Sequence, residues 1–160
     1  MPRRFRDAGQ SIYSFGDTFL VRCPRCDRRA EVTLLPPAPM PRTRASGLFA
    51  PRRCVCAHCA YVKEWRGKKL SIGGAACDWY FGYPLWLQTA CCGNTLWAYN
   101  EPHLRFLEEF VSADLREREP RLRDSHSLTY AARLPRWMQV AANRDDALRG
   151  LARLREMLED

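Results

Sequence analysis

A chain of 160 residues with 46% hydrophobic residues can bury one sizeable core, so it is expected to form one domain, or one domain plus a small module. The formal net charge is +8, unevenly placed: residues 1–69 carry 15 Lys and Arg against 5 Asp and Glu, and residues 70–160 carry 11 against 13. Clustered cations favour an acidic partner, nucleic acid above all, because they release counterions from a phosphate backbone; the plainer alternative is a solvated, arginine-rich surface.

The opening MPRRFRDAGQSIYSFGDTF has arginines but no apolar run after them, so it reads as neither a secretory nor a twin-arginine signal. No later stretch has the length and apolarity of a membrane span, and the expected location is the cytoplasm. In that reducing compartment close cysteine pairs more often bind metal or do redox chemistry than form structural disulfides.

Alternation in DTFLVR (17–22) and RRAEVTLL (28–35) predicts two strands meeting at a tight turn that carries Cys23 and Cys26. Five prolines and a glycine in PPAPMPRTRASGLFAPRR (36–53) predict an exposed basic loop. A second cysteine turn, CVCAHC (54–59), follows, and YVKEWRGKKLSIGG (61–74) reads as a strand, a glycine turn and another strand, closed by Gly73 and Gly74.

The stretch DWYFGYPLWLQTACCGNTLWAYN (78–100) predicts a hairpin with its two-residue turn at Gly93-Asn94, a dipeptide suited to positive φ. Its aromatic residues Trp79, Tyr80, Phe81, Tyr83, Trp86, Trp97 and Tyr99 are expected to build core. Asn100 can cap a helix over 101–119 that places Leu104, Leu107, Val111 and Leu115 on one side, with Phe106 and Phe110 beside them and Pro120 as the stop. After an arginine-rich connector (121–126), two short helical turns are divided at Leu134-Pro135. A last helix over 143–158, capped by Asn143, carries the stripe Leu148, Leu151, Leu154 and Leu158. No internal repeat is visible.

Cys23-x-x-Cys26 and Cys56-x-x-Cys59 each put two sulfurs on one turn, and four thiolates at the corners of a tetrahedron are what one structural zinc ion accepts. Arg22, Arg25, Arg28 and Arg29 favour the thiolates, and no βαβ pattern surrounds CPRC to suggest a thioredoxin-like dithiol. His58 is expected to be a bystander and Cys54 a small buried hydrophobe on the preceding strand. Cys77, Cys91, Cys92 and His103 could supply a second metal site, but adjacent cysteines on a strand point to opposite faces, so packed core cysteines are the favoured reading.

Residues 19–66, CPRC through CAHCAYVKEW, resemble a zinc ribbon of the general transcription factor IIB type, in which two such knuckles on β-hairpins share one zinc. The whole chain, with GYPLWLQTACCGNTLWAYN, HLRFLEEFV and LPRWMQVAANR, also resembles bacterial zinc-ribbon-containing proteins without an assigned activity. The resemblance implies Cys23, Cys26, Cys56 and Cys59 as ligands and nothing catalytic. Its second knuckle is usually followed by glycine, where this chain has Ala60, and a positive φ there would be mildly strained.

The expected fold is therefore α+β: an N-terminal four-cysteine ribbon of antiparallel strands (1–74, with the loop 36–53) continuing into an aromatic β-hairpin layer packed by C-terminal helices (75–160), the two parts packed as one unit. The expected function is non-catalytic binding of DNA or RNA, or of a complex bound to it. Arg42, Arg44, Arg52, Arg53, Lys63, Arg66, Lys68 and Lys69 would contact phosphates, and Tyr61 and Trp65 would stack on unpaired bases. The plainer alternative has Trp65 covering the ribbon's small core. Two other functions stay open: a protein-interaction module with a purely structural zinc, and a cysteine-dependent enzyme pairing Cys92 with His103. No phosphate-binding glycine loop, GxSxG or HExxH supports catalysis.

Overall fold

The computed structural model describes residues 1–36, 47–120 and 129–160. Among these the chain runs β1 (Arg4–Asp7), a 3-10 turn (Ile12–Phe15), β2 (Phe19–Arg22), β3 (Arg29–Leu34), β4 (Arg52–Val55), β5 (Val62–Trp65), β6 (Leu87–Cys91), β7 (Asn94–Ala98), α1 (Glu101–Ser112), β8 (Leu115–Arg118), α2 (Tyr130–Arg133), α3 (Arg136–Gln139), a second 3-10 turn (Ala141–Asn143) and α4 (Arg144–Glu159). The fold is mixed, with an antiparallel sheet and C-terminal helices. Its contacts divide it into two compact units, residues 16–87 and residues 1–15 with 88–160, so the divisions fall at 15/16 and 87/88 rather than at 74/75. No helix among the described residues is long and apolar enough to cross a membrane.

In the 16–87 unit, β2, β3, β4 and β5 form one antiparallel sheet in sequence order. The period-two pattern sets its face: Phe19, Val21, Ala30, Val32 and Cys54 are buried, with Val32 opposite both Phe19 and Cys54. Trp79 and Tyr80 cover that face, their rings meeting Phe19 edge-on at 5.0 and 5.9 Å. A Cβ at Gly16 would run into the Trp79 ring, which is why glycine stands there. Buried Asp78 fixes the following loop by accepting from the amides of Tyr80 (2.8 Å), Phe81 (2.7 Å) and Tyr83 (2.7 Å). The strand expected after Gly67 does not form. Lys68 and Lys69 are both exposed, so that stretch lacks the alternation that would bury one face.

In the other unit, β6 and β7 pair as a hairpin whose turn residues are Cys92 (φ +52°) and Gly93 (φ +73°), one position earlier than expected. Asn94 opens β7 and its side chain donates to the Cys92 carbonyl (2.9 Å). Asn100 caps α1 as expected, its side-chain oxygen accepting from the His103 amide (3.0 Å). The helix ends at Ser112, well short of Pro120. The Asp114 and Leu115 amides donate to the Arg3 carbonyl (2.8 and 3.1 Å), and the Arg3 amide donates to Asp114 Oδ2 (2.9 Å). Residues 115–118 thereby become β8, parallel to β1. Phe5 on β1 sits edge-on against Phe106 (5.4 Å) and Phe110 (5.3 Å), burial that a continued helix would forgo.

The division of the short helices at Leu134-Pro135 is as expected. α4 packs on α1 and β7, burying Ala147, Gly150, Leu151 and Leu154, while Leu148 and Leu158 are half-buried. Asn143 does not cap α4 through its side chain, which instead donates to the Trp137 carbonyl (3.0 Å).

His103 lies at the centre of this unit, fully buried, with Nδ1 accepting from the Tyr99 amide (3.1 Å). The remaining proton is therefore on Nε2, 2.8 Å from the Tyr130 hydroxyl. Burial lowers its pKa to about 3. A histidine kept neutral in the native state but free to protonate when unfolded favours unfolding below the unfolded pKa of about 6.5. Stability measured by urea unfolding of this unit is expected to fall by about 2 kcal/mol from this group between about pH 7 and about pH 5. His103→Gln, which cannot titrate, should flatten that part of the pH dependence whatever it does to stability at neutral pH.

Candidate metal centre

The two cysteine turns are built alike. Residues 23–28 join β2 to β3 and residues 56–61 join β4 to β5. In each, the first cysteine's amide donates to the carbonyl five residues on: Cys23 to Arg28 (2.8 Å) and Cys56 to Tyr61 (2.9 Å). In each, the residue after the second cysteine is left-handed, Asp27 at φ +61° and Ala60 at φ +58°. This backbone folds both sulfurs of a turn to one side, and sheet order β2-β3-β4-β5 then places the two turns at the same end.

The sulfurs of Cys23, Cys26, Cys56 and Cys59 all lie within 4.8 Å of one another. The closest pairs cross between turns, Cys23 to Cys59 and Cys26 to Cys56, each at 3.6 Å. A tetrahedral ion with metal–sulfur bonds of about 2.3 Å holds its sulfurs about 3.8 Å apart, so the donor set and its spacing fit a metal ion such as zinc. Among the described residues this is the one group of three or more His, Cys, Asp or Glu side chains able to hold a metal.

The protonation of these thiols shows why a cation suits them. The Arg28 amide alone would lower Cys26, but burial and the three neighbouring sulfurs push it up to about 12. Burial would raise Cys56, yet the amides of Cys59 and His58 and the neighbouring thiols bring it down to about 7. One thiolate forms readily and the next is opposed by it; a divalent ion among the sulfurs removes that opposition.

His58 is exposed and outside the cluster, contributing its amide rather than its ring. Cys54 is fully buried on β4, its thiol pushed up to about 12 by burial. The possible second site is not gathered. Both ring nitrogens of His103 are engaged by Tyr99 and Tyr130, and the neighbour of Cys92 Sγ is Cys91 Sγ at 3.6 Å. The expectation that these adjacent sulfurs point to opposite faces is wrong, because Cys92 lies in the turn with a left-handed backbone rather than on a strand.

No family model, curated protein or solved structure matches the chain.

The residues expected to touch nucleic acid are scattered in role. Arg42 and Arg44 lie outside the described residues. Arg52 is no surface phosphate ligand: it is 4% exposed, donates to the carbonyls of Gly16 (3.1 Å), Asp17 (3.0 Å) and Gly47 (3.1 Å), and lies 4.6 Å from the centre of the Tyr80 ring. Its position on β4 faces the same way as Cys54, so the alternation that buries Cys54 buries Arg52. Arg53 and Arg66 both pair with Glu64 (3.4 Å each), and Lys63, Lys68 and Lys69 are exposed. Trp65 meets Tyr80 edge-on at 4.8 Å with Gly67 against its indole, so it covers the core of the 16–87 sheet.

Tyr61, expected to stack on bases, lies with Phe81 and Tyr83, which were expected to build core. Its hydroxyl meets that of Tyr83 (2.8 Å), Tyr83 stacks on Phe81 (5.2 Å, 14° between planes), and Arg25 lies 5.3 Å above Tyr61. Arg22 similarly lies 5.5 Å above Trp86. Tyr61, Phe81, Tyr83 and Trp86 are all half-buried. Gly82 and Pro84 were the available hint, since they interrupt the aromatic run and mark a loop rather than a buried strand.

Replacing Cys23 or Cys59 by Ser should lower bound metal in the purified protein from one equivalent to well below one and unfold the 16–87 sheet, read by elemental analysis and circular dichroism; Cys77→Ser should leave metal content at one. Ala60→Gly should raise stability by about 1 kcal/mol in chemical unfolding, because glycine takes a left-handed backbone without the strain of a Cβ.

Proposed function

We propose that the protein is a non-catalytic zinc-ribbon protein that binds nucleic acid, or a complex bound to it, through the basic 16–87 unit, with one structural zinc on Cys23, Cys26, Cys56 and Cys59. The observation that carries this reading is where the charge lies. Residues 16–87 contain 12 Lys and Arg against 5 Asp and Glu, while the other unit contains 14 against 13. The whole imbalance beyond a single charge thus belongs to the unit with the cysteine cluster. At the first knuckle the cations sit over half-exposed rings, Arg25 over Tyr61 and Arg22 over Trp86, a pairing that suits phosphates beside stacked bases. Exposed Lys63, Lys68 and Lys69 would add phosphate contacts without reading sequence. The proposed compartment is the cytoplasm, where reduced thiols remain available to the ion.

A protein partner is the second reading. It is favoured by Val55 and Val62, which face one another across β4 and β5 and are 38% and 55% exposed, an apolar pair beside the second knuckle.

The test is fluorescence anisotropy with labelled single- and double-stranded oligonucleotides at about 50 and about 200 mM salt. Affinity should fall steeply with salt. Arg22→Glu with Arg25→Glu, and separately Lys68→Glu with Lys69→Glu, should each weaken binding by about tenfold or more at low salt, the lysine pair with metal content unchanged. Affinities indifferent to salt and to both reversals would remove nucleic acid as the ligand of this surface.

A further inference from the structure

The turn of the β6–β7 hairpin contains a residue that its geometry does not favour. Both turn positions have positive φ, a conformation for which Asn, Asp and Gly are the usual choices, yet the first is Cys92 at φ +52°. The left-handed backbone swings the Cys92 side chain beside that of Cys91, and the two sulfurs lie 3.6 Å apart. Cys91 is 6% exposed, its sulfur 3.5 Å from the Asp146 carbonyl, and a Cβ on Gly150 would be 3.4 Å from it. Cys92 is half-exposed. Arg153 braces the same end of the hairpin, Nε to Thr89 Oγ1 at 3.2 Å and Nη2 to the Ala90 carbonyl at 3.0 Å. The result is a fixed dithiol that pairs a half-exposed cysteine with a buried one.

We propose that Cys91 and Cys92 form a binding site for one trivalent thiophilic metalloid of the arsenous-acid class, independent of the four-cysteine centre and of nucleic-acid binding. Two other fates of such a pair fit less well. A disulfide is disfavoured because residues in sequence have Cα atoms about 3.8 Å apart, below the range of about 4.4–6.8 Å that an unstrained S–S bond spans. A structural zinc ion asks for four donors, and no third His, Cys, Asp or Glu joins these sulfurs among the described residues. A three-coordinate metalloid needs only two sulfurs besides its own substituent, and it bridges them without drawing them into bonding distance of each other.

The chemistry balances without an oxidant. An arylarsenoxide, R–As=O, takes two thiols to give R–As(S–Cys)2 and one water: two As–S bonds form, the As=O bond breaks, both thiol protons leave on its oxygen, and arsenic stays trivalent. Cys92 reacts first because it is accessible, and burial pushes the Cys91 thiol up to about 11. Once arsenic is attached to Cys92, closure onto Cys91 is intramolecular and favoured by the preset spacing.

The test uses the purified, metal-loaded full chain and one equivalent of phenylarsine oxide, followed by native mass spectrometry and thiol titration. The expected result is a single adduct with loss of one water, two fewer free thiols, metal retained, and reversal by a small dithiol. Cys92→Asn, which suits the turn, should abolish the adduct while raising the thermal midpoint, and Cys77→Ser should leave the adduct intact. Unmodified protein after treatment, an adduct that survives Cys92→Asn, or arsenic that enters only by expelling the bound metal would each overturn the site.

Discussion

Four sulfurs converging at one end of a small sheet are the constraint from which the rest of the 16–87 unit follows. Its strands are four to six residues long, too short to persist as separate hairpins. Each hairpin leaves its knuckle through a defined pair, Arg22 opposite Arg29 and Val55 opposite Val62. An ion shared by the knuckles would join the two hairpins at that end, while β3 and β4 pair directly along their length. A structural zinc ion held there would contribute on the order of 10 kcal/mol to folding, a large share for a unit whose core is built on one face of a short sheet under Trp79 and Tyr80.

The same geometry governs which cations face solvent. Alternation along β4 sends Cys54 and Arg52 inward and leaves Arg53 at the surface, so an arginine in a basic run becomes an internal brace for the Gly16, Asp17 and Gly47 carbonyls. Asp78 works comparably: its buried carboxylate collects three amides and thereby fixes the loop that carries Phe81 and Tyr83. Each of these two buried charged side chains is held by backbone groups, which fixes the segments it touches.

Much of this was legible in the sequence because short-range chemistry dictates it. The two Cys-x-x-Cys pairs, the strands on either side of each, the Asn100 cap and the break at Leu134-Pro135 all follow from neighbours within a few residues. Even the left-handed angle at Ala60 was readable from a position where glycine is expected. Partnerships between distant residues were not legible. The end of α1 depends on Arg3, more than a hundred residues away, and the parallel β1–β8 pair leaves no local signal. The hairpin turn slipped by one residue because Cys92 accepts an angle that composition assigns to Asn94, and in doing so it brought two sulfurs together. Arg52 and Phe81 were misplaced for one reason: alternation and loop geometry, rather than residue type, decided which of them met water.

The most direct measurement of the central claim is X-ray absorption at the zinc edge of the purified protein, which reports the atoms around the ion without reference to the fold. One shell of four sulfurs at about 2.3 Å is the expected spectrum. A shell containing nitrogen or oxygen, or a well-folded protein with no bound metal, would contradict it.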